Sequence, residues 1–218
     1  MASTTTTWPV RIDAADAGLS GDLTIVDSAK GLVVFAHGSG SSRHSRRNRA
    51  VGEALQRAAF ATLLVDLLTE TEERVDAVSA EFRFDIPLLA GRVTSTLDWA
   101  AANAATSGLP IGLFGASTGA AAALMAAAER PALVRAVVSR GGRPDLADGA
   151  LEIVTAPTLL IVGGRDEVVI DLNRDALARL AGERQLRIVP GATHLFEERG
   201  ALDDVARLAI DWFLEHLG

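Results

Sequence analysis

The chain has 218 residues, 49% of them hydrophobic, and a formal net charge of −7. That size and apolar content suit one domain with a substantial core, and the acidic balance argues against a phosphate-binding surface, so nucleic acid is not an expected partner. With no cysteine there can be no disulfide, thiolate nucleophile or cysteine metal site; the four histidines, at 37, 44, 194 and 216, lack metal-ligand spacing, so neither metal nor cofactor is expected.

Residues 1–8 read as a loose polar tail and residues 9–218 as the single domain. The start has neither a basic stretch nor the apolar core of a leader, and no later segment reaches the ~18 uninterrupted apolar residues of a membrane span. A cytoplasmic protein without membrane contact is the expectation. Val10–Asp13 and Leu19–Val26 read as two strands joined by a turn, an antiparallel opening to a sheet. Leu32–Ala36 is a continuous apolar run, the mark of a strand buried on both faces.

From there the pattern alternates. Strands are predicted around Thr62–Val65, Ile111–Phe114, Val134–Val138, Thr158–Val162 and Leu186–Val189. Helices are predicted around Asn48–Ala59, Pro87–Ala105, Thr118–Arg130, Asp171–Leu180 and Leu202–Leu217. Such alternation gives an α/β fold with a mostly parallel sheet covered by helices. Asp85 can cap the helix beginning near Pro87, and Pro131 stops the alanine-rich one. In the last helix Leu202, Val205, Ala209, Trp212 and Phe213 form a stripe that packs on the sheet.

The strongest local signal is Gly115-Ala116-Ser117-Thr118-Gly119, set between an apolar strand and a run of strong helix formers. Without Cβ atoms, Gly115 and Gly119 let strand and helix approach closely and leave Ser117 strained at the apex. Ser117 is the expected nucleophile. A serine hydroxyl needs a base, and the base an orienting group. His194 follows a strand and a Pro-Gly turn, before the final helix, and is the expected base; His216, near the end of the last helix, is expected in solvent. Asp166, after a buried strand ending in Gly163-Gly164, is the expected orienting acid, with Glu167 and Asp145 as substitutes.

The Gly-rich turn from His37 to Ser42 follows a central strand and suits an oxyanion hole. Its expected donors are the backbone N–H groups of Ser39 and Thr118, the latter at a helix N-terminus. His37, Gly40, Arg43 and Phe82 are candidate substrate contacts. Against that reading, His37 can brace the turn, Arg43 can join Arg46, Arg47 and Arg49 in internal ion pairs with the acidic stretch from Asp66, and Phe82 can pack in the core with Phe84; Leu67–Asp85 is read as a long connection.

The Gly-x-Ser-x-Gly turn, then Asp166, then His194, with His37-Gly38 on an earlier strand, resembles the α/β-hydrolase superfamily along nearly the whole chain. The resemblance implies an eight-stranded, mostly parallel sheet. The small size and the His-Gly-Ser-Gly-Ser-Ser-Arg stretch make it similar to the dienelactone-hydrolase-like branch. Dienelactone hydrolase itself uses cysteine where this chain has Ser117, so serine-esterase chemistry is implied rather than dienelactone as substrate. Many α/β-hydrolases insert a cap after the sixth strand; here residues 139–157 are too short for one, and an open cleft for soluble esters or lactones is expected. The implied activity is a cofactor-free carboxylic ester hydrolase acting on a small-molecule ester or lactone. An acyltransferase or perhydrolase shares the same residues, and a non-catalytic binding protein on this scaffold is the remaining alternative.

Overall fold

The structure, a computed structural model, describes residues 4–218. Eight strands form one sheet in the order β1-β2-β4-β3-β5-β6-β7-β8: β1 (Thr5–Asp13), β2 (Gly18–Val26), β3 (Leu32–Ala36), β4 (Ala61–Val65), β5 (Ile111–Ala116), β6 (Val134–Arg140), β7 (Thr158–Gly163) and β8 (Arg184–Val189). β1 and β2 form an antiparallel hairpin whose second strand runs against β4, and the remaining strands are parallel. The expected mostly parallel α/β sheet without a cap domain is what the chain forms.

Helices cover both faces. α1 (Arg46–Arg57) and α6 (Ala201–Leu217) lie together on one; α3 (Ile86–Ala102), α4 (Thr118–Glu129), a 3₁₀ segment (Pro144–Glu152) and α5 (Glu167–Arg179) lie on the other. The alternation of side chains along a strand divides the core accordingly. In β3, Leu32, Val34 and Ala36 join the cluster under α3 and α4, whereas Val33 and Phe35 join the one under α1 and α6. The α6 stripe packs into that second cluster, with Leu202 partly buried at its edge. Asp85 caps α3 by accepting the Leu88 N–H at 3.0 Å. Among the described residues no helix is long and apolar enough to cross a membrane.

Three expectations need correction. The tail read as loose over residues 1–8 is largely strand: residues 1–3 lie outside the described ones, but β1 begins at Thr5 and pairs with β2 as far as Val26. Threonine is β-branched and suits an edge strand, and Thr7 and Thr24 share a hydroxyl hydrogen bond at 2.8 Å across the pair. The stretch from Leu67 to Asp85, read as a connection, contains α2 (Glu70–Ser79), begun by a capping box in which Thr69 and Glu72 satisfy each other's backbone N–H. His216, expected in solvent, lies on Trp212 with ring centroids 4.3 Å apart and bonds the Trp212 carbonyl at 2.8 Å.

Candidate active site

β5 runs into α4 through a turn with no room for side chains. A Cβ on Gly115 would lie 2.5 Å from Ala120 Cα, and one on Gly119 would lie 2.3 Å from the Ala36 carbonyl oxygen. Between them Ser117 sits at φ 51°, ψ −122°, a left-handed backbone that costs a non-glycine residue ~1–3 kcal/mol. The surroundings hold it there. Ser117 N–H donates to the Arg140 carbonyl at 3.3 Å, and its own carbonyl accepts from the N–H groups of Ala120 and Arg143, each at 3.1 Å.

Asp166 follows the turn at the end of β7 and occupies the cap position of α5, yet its carboxylate caps nothing. It turns instead to His194, with Oδ2 2.6 Å from Nδ1. The carboxylate is largely covered at 16% side-chain exposure, while the imidazole is open at 39%. A carboxylate accepting from Nδ1–H leaves Nε2 as the free, basic nitrogen. The two substitute acids do not reach the ring: Asp145 is held by Arg143 through bonds of 2.8 and 2.7 Å, and Glu167 faces solvent.

Ser117 and His194 border the same short stretch. Ser117 N–H bonds the Arg140 carbonyl, and a Cβ on the next residue, Gly141, would lie 3.1 Å from the His194 carbonyl oxygen and 3.6 Å from His194 Cε1. Gly141 places no side chain there. Among the described residues no hydrogen bond joins Ser117 Oγ to His194 Nε2, a contact that in unliganded hydrolases often tightens only with substrate in place.

The Thr118 N–H opens α4, where the helix offers no acceptor and its dipole favours negative charge. The Ser39 N–H is engaged: it donates to Thr118 Oγ1 at 3.1 Å, and the two hydroxyls are also 3.1 Å apart. An oxyanion taking the Ser39 donor has to displace the Thr118 hydroxyl from it. Gly38 packs against the Ser117 turn, where a Cβ would lie 2.9 Å from Ser117 Cβ.

Beside this turn lies a cavity of about 280 Å³. One wall is the His37–Ser42 turn, including Gly40 at φ 62°; the other is Leu68, Leu89 and the α2 residues Glu73, Asp76 and Ala77, with Arg83 beyond them. Burial and the charge of Asp66 hold the Glu73 carboxyl above the usual carboxylate range. The wall contributed by α2 was not foreseen, although Thr-x-x-Glu before it was a readable helix start.

The remaining candidates for substrate contact fare unevenly. His37 borders the cavity with both ring nitrogens spent on backbone: Nδ1–H donates to the Gly38 carbonyl at 3.0 Å and Nε2 accepts the Leu67 N–H at 2.8 Å. Burial pushes its pKa down, so it is a neutral brace. Arg43 is spent too, on Asp66 through its backbone N–H at 2.6 Å and its guanidinium, and on Asp22 at 3.5 Å. Arg49 pairs with Asp22 at 3.0 Å and Arg47 with Glu197 at 3.2 Å, so only Arg43 uses the acidic stretch from Asp66 as expected. Phe82 packs against the core and Phe84 is exposed; Arg83, between them, is the one that borders the cavity. At the opposite end of the sheet Glu183, Glu215 and His216 bring ligand atoms within 4.8 Å of one another, an ordinary surface grouping of acids.

A model of the dienelactone hydrolase family matches residues 21–213. The crystal structure of dienelactone hydrolase from Anabaena variabilis is 55% identical and superposes with a TM-score of 0.96, over 98% of this chain and 99% of that one. Est1E from Butyrivibrio proteoclasticus shares the fold at 18% identity and a TM-score of 0.79, over 95% of this chain and 98% of its own. Two Mycobacterium tuberculosis proteins, from strains H37Rv and CDC 1551, carry a provisional naming as phosphoribosyl transferases and are 59% identical over 208 residues. The match takes in 95% of this chain and 46% of theirs, so the chain spans about half the length of those relatives.

Proposed function

The chain belongs to the dienelactone hydrolase family, and we propose that it is a serine hydrolase that cleaves small carboxylic esters or lactones through an acyl-enzyme on Ser117. The observation that carries this reading is the strained Ser117 turn on the same sheet rim as the 2.6 Å His194–Asp166 pair. In the proposed cycle Ser117 Oγ attacks the carbonyl while His194 Nε2 takes its proton. Asp166 holds the ring and stabilises the imidazolium, and the Thr118 and Ser39 N–H groups receive the oxyanion. His194 then protonates the leaving alkoxide, and water, activated by the same base, releases the acid.

The cavity between the Gly38 turn and α2 is the proposed site for the substrate's acyl or alcohol part, with Leu68, Ala77 and Leu89 favouring an apolar group of modest size. The phosphoribosyl-transferase naming attaches to proteins of which this chain spans less than half, whereas the Anabaena hydrolase is matched over nearly its whole length. Hydrolysis is therefore the activity proposed for this part. Turnover of a panel of p-nitrophenyl esters and simple lactones tests it: short acyl esters are expected to be cleaved by the parent and not by Ser117→Ala. Equal turnover by both proteins would refute it.

A further inference from the structure

Arg43, Arg47 and Arg49 each have a carboxylate partner; Arg140, the last residue of β6, has none among the described residues. The residue is buried, at 8% exposure, and its side chain reaches the first turn of α1, where Nη2 donates to Asn48 Oδ1 at 3.2 Å. Its Nε and Nη1 are buried without a protein acceptor, and so is Arg47 Nε. The charge acting on Arg140 is another cation: burial first, and then Arg47, bring its pKa down to about 10. The first turn of α1 carries no acidic residue, and its free N–H groups add the positive end of a helix dipole. Two guanidinium groups and a helix N-terminus thus converge, and among the described residues only exposed Glu197 answers them.

The same chain shows how it treats a buried guanidinium that serves the scaffold. Arg92, at 1% exposure, makes five hydrogen bonds, to Asp16, Glu72 and the Leu67 carbonyl. Leaving Arg140 uncompensated is costly in an empty protein and favourable once an anion is bound. We propose that Arg140, Arg47 and the first turn of α1 form a binding site for a small oxyanion, a phosphate or a carboxylate. Arg140 Nε and Nη1 are its donors. Arg47 is 34% exposed and Glu197 65%, so the anion enters by displacing Glu197 from Arg47. This site does not depend on the acyl-enzyme reading, because none of Ser117, His194 and Asp166 belongs to it.

Thermal melts and calorimetric titrations of the whole chain test the proposal with inorganic phosphate, with acetate as the carboxylate, and with sodium chloride at matched ionic strength. The expected result is saturable binding of phosphate or acetate, the better of the two identifying the ligand chemistry, with Tm rising ~5–10 °C at a hundred times Kd and no such rise in chloride. Arg140→Met is expected to abolish the response. If that variant fails to fold, Asn48→Ala and Arg47→Gln are each expected to weaken binding at least ~5-fold. The proposal is overturned if neither anion binds, if Arg140→Met folds and responds as the parent does, or if both secondary variants bind unchanged.

Discussion

Two regions of this molecule handle buried polarity in opposite ways. On the α3 face, the shoulder around Arg92 answers every charge: Asp16 from the β1–β2 turn and Glu72 from α2 close on one guanidinium, with bonds of 2.6 to 3.2 Å. At the C-terminal rim of β3, β5 and β6, Ser117 is held in left-handed backbone, the Ser39 N–H is occupied by the Thr118 hydroxyl, and among the described residues Arg140 has no counter-ion. A fold gains nothing in stability from such features. Under the proposed function their concentration at one rim is where the chain gives up stability for binding and chemistry, whereas the Arg92 shoulder is where it fixes α2 against the sheet.

The largest expected effect belongs to the rim. Ser117→Ala and His194→Ala should each lower kcat/KM on an ester by up to ~10⁶-fold, and Asp166→Ala by ~10⁴-fold, with melting temperatures close to the parent's. Asp145→Ala should leave kcat within a few-fold, since its carboxylate serves Arg143; equal losses at 145 and 166 would show the wrong acid has been chosen. In the shoulder the signs reverse. Arg92→Met strands Asp16 and Glu72 and should cost about 3 kcal/mol in chemical denaturation, at the low end for a buried pair because Asp16 can rehydrate.

Acid should weaken the shoulder and the brace in two separate pH windows. Arg92 holds the Glu72 carboxyl down to about 2, below its ordinary 4.5, so its contribution is complete above pH 4.5 and is lost as pH falls toward 2. His37 is kept neutral by burial below its ordinary 6.5; the unfolded chain takes up that proton first, and stability therefore declines as pH drops below 6.5. In denaturation curves across pH, Glu72→Gln should flatten the lower window and leave the upper one intact. The smallest effect returns to the rim: Ser117→Gly removes the left-handed strain and should stabilise the protein by ~1 kcal/mol while abolishing turnover. A destabilised glycine variant would mean the backbone at 117 is not strained.

What could be read from the sequence follows the same division. Apolar runs such as Leu32–Ala36 announce their own burial, and Gly115, Ser117 and Gly119 announce a turn, because these signals are local. The first half of the hairpin's outer strand escaped, although Val10–Asp13 was legible, because Thr5–Thr7 is polar on both sides and is recognisable only beside β2. α2 escaped because its inward side is acidic, with Glu72, Glu73 and the buried Asp76, while Val75 and Val78 face solvent, so no apolar stripe marks it; with it went the second wall of the cavity. The arginine-rich start of α1 was visible as a charge problem, but its solution was not: three of those charges find acids on β2, after β4 and after His194, Arg46 faces solvent, and a buried cation without an acid among the described residues arrives from β6.

The central claim is that the hydroxyl at 117 is a nucleophile activated by His194. Intact-mass and peptide mass spectrometry after a fluorophosphonate treatment reads this directly. One adduct per chain, located on Ser117, absent from Ser117→Ala and strongly slowed in His194→Ala, is the predicted result. An unlabelled parent, or an adduct on another residue that persists in Ser117→Ala, would contradict it.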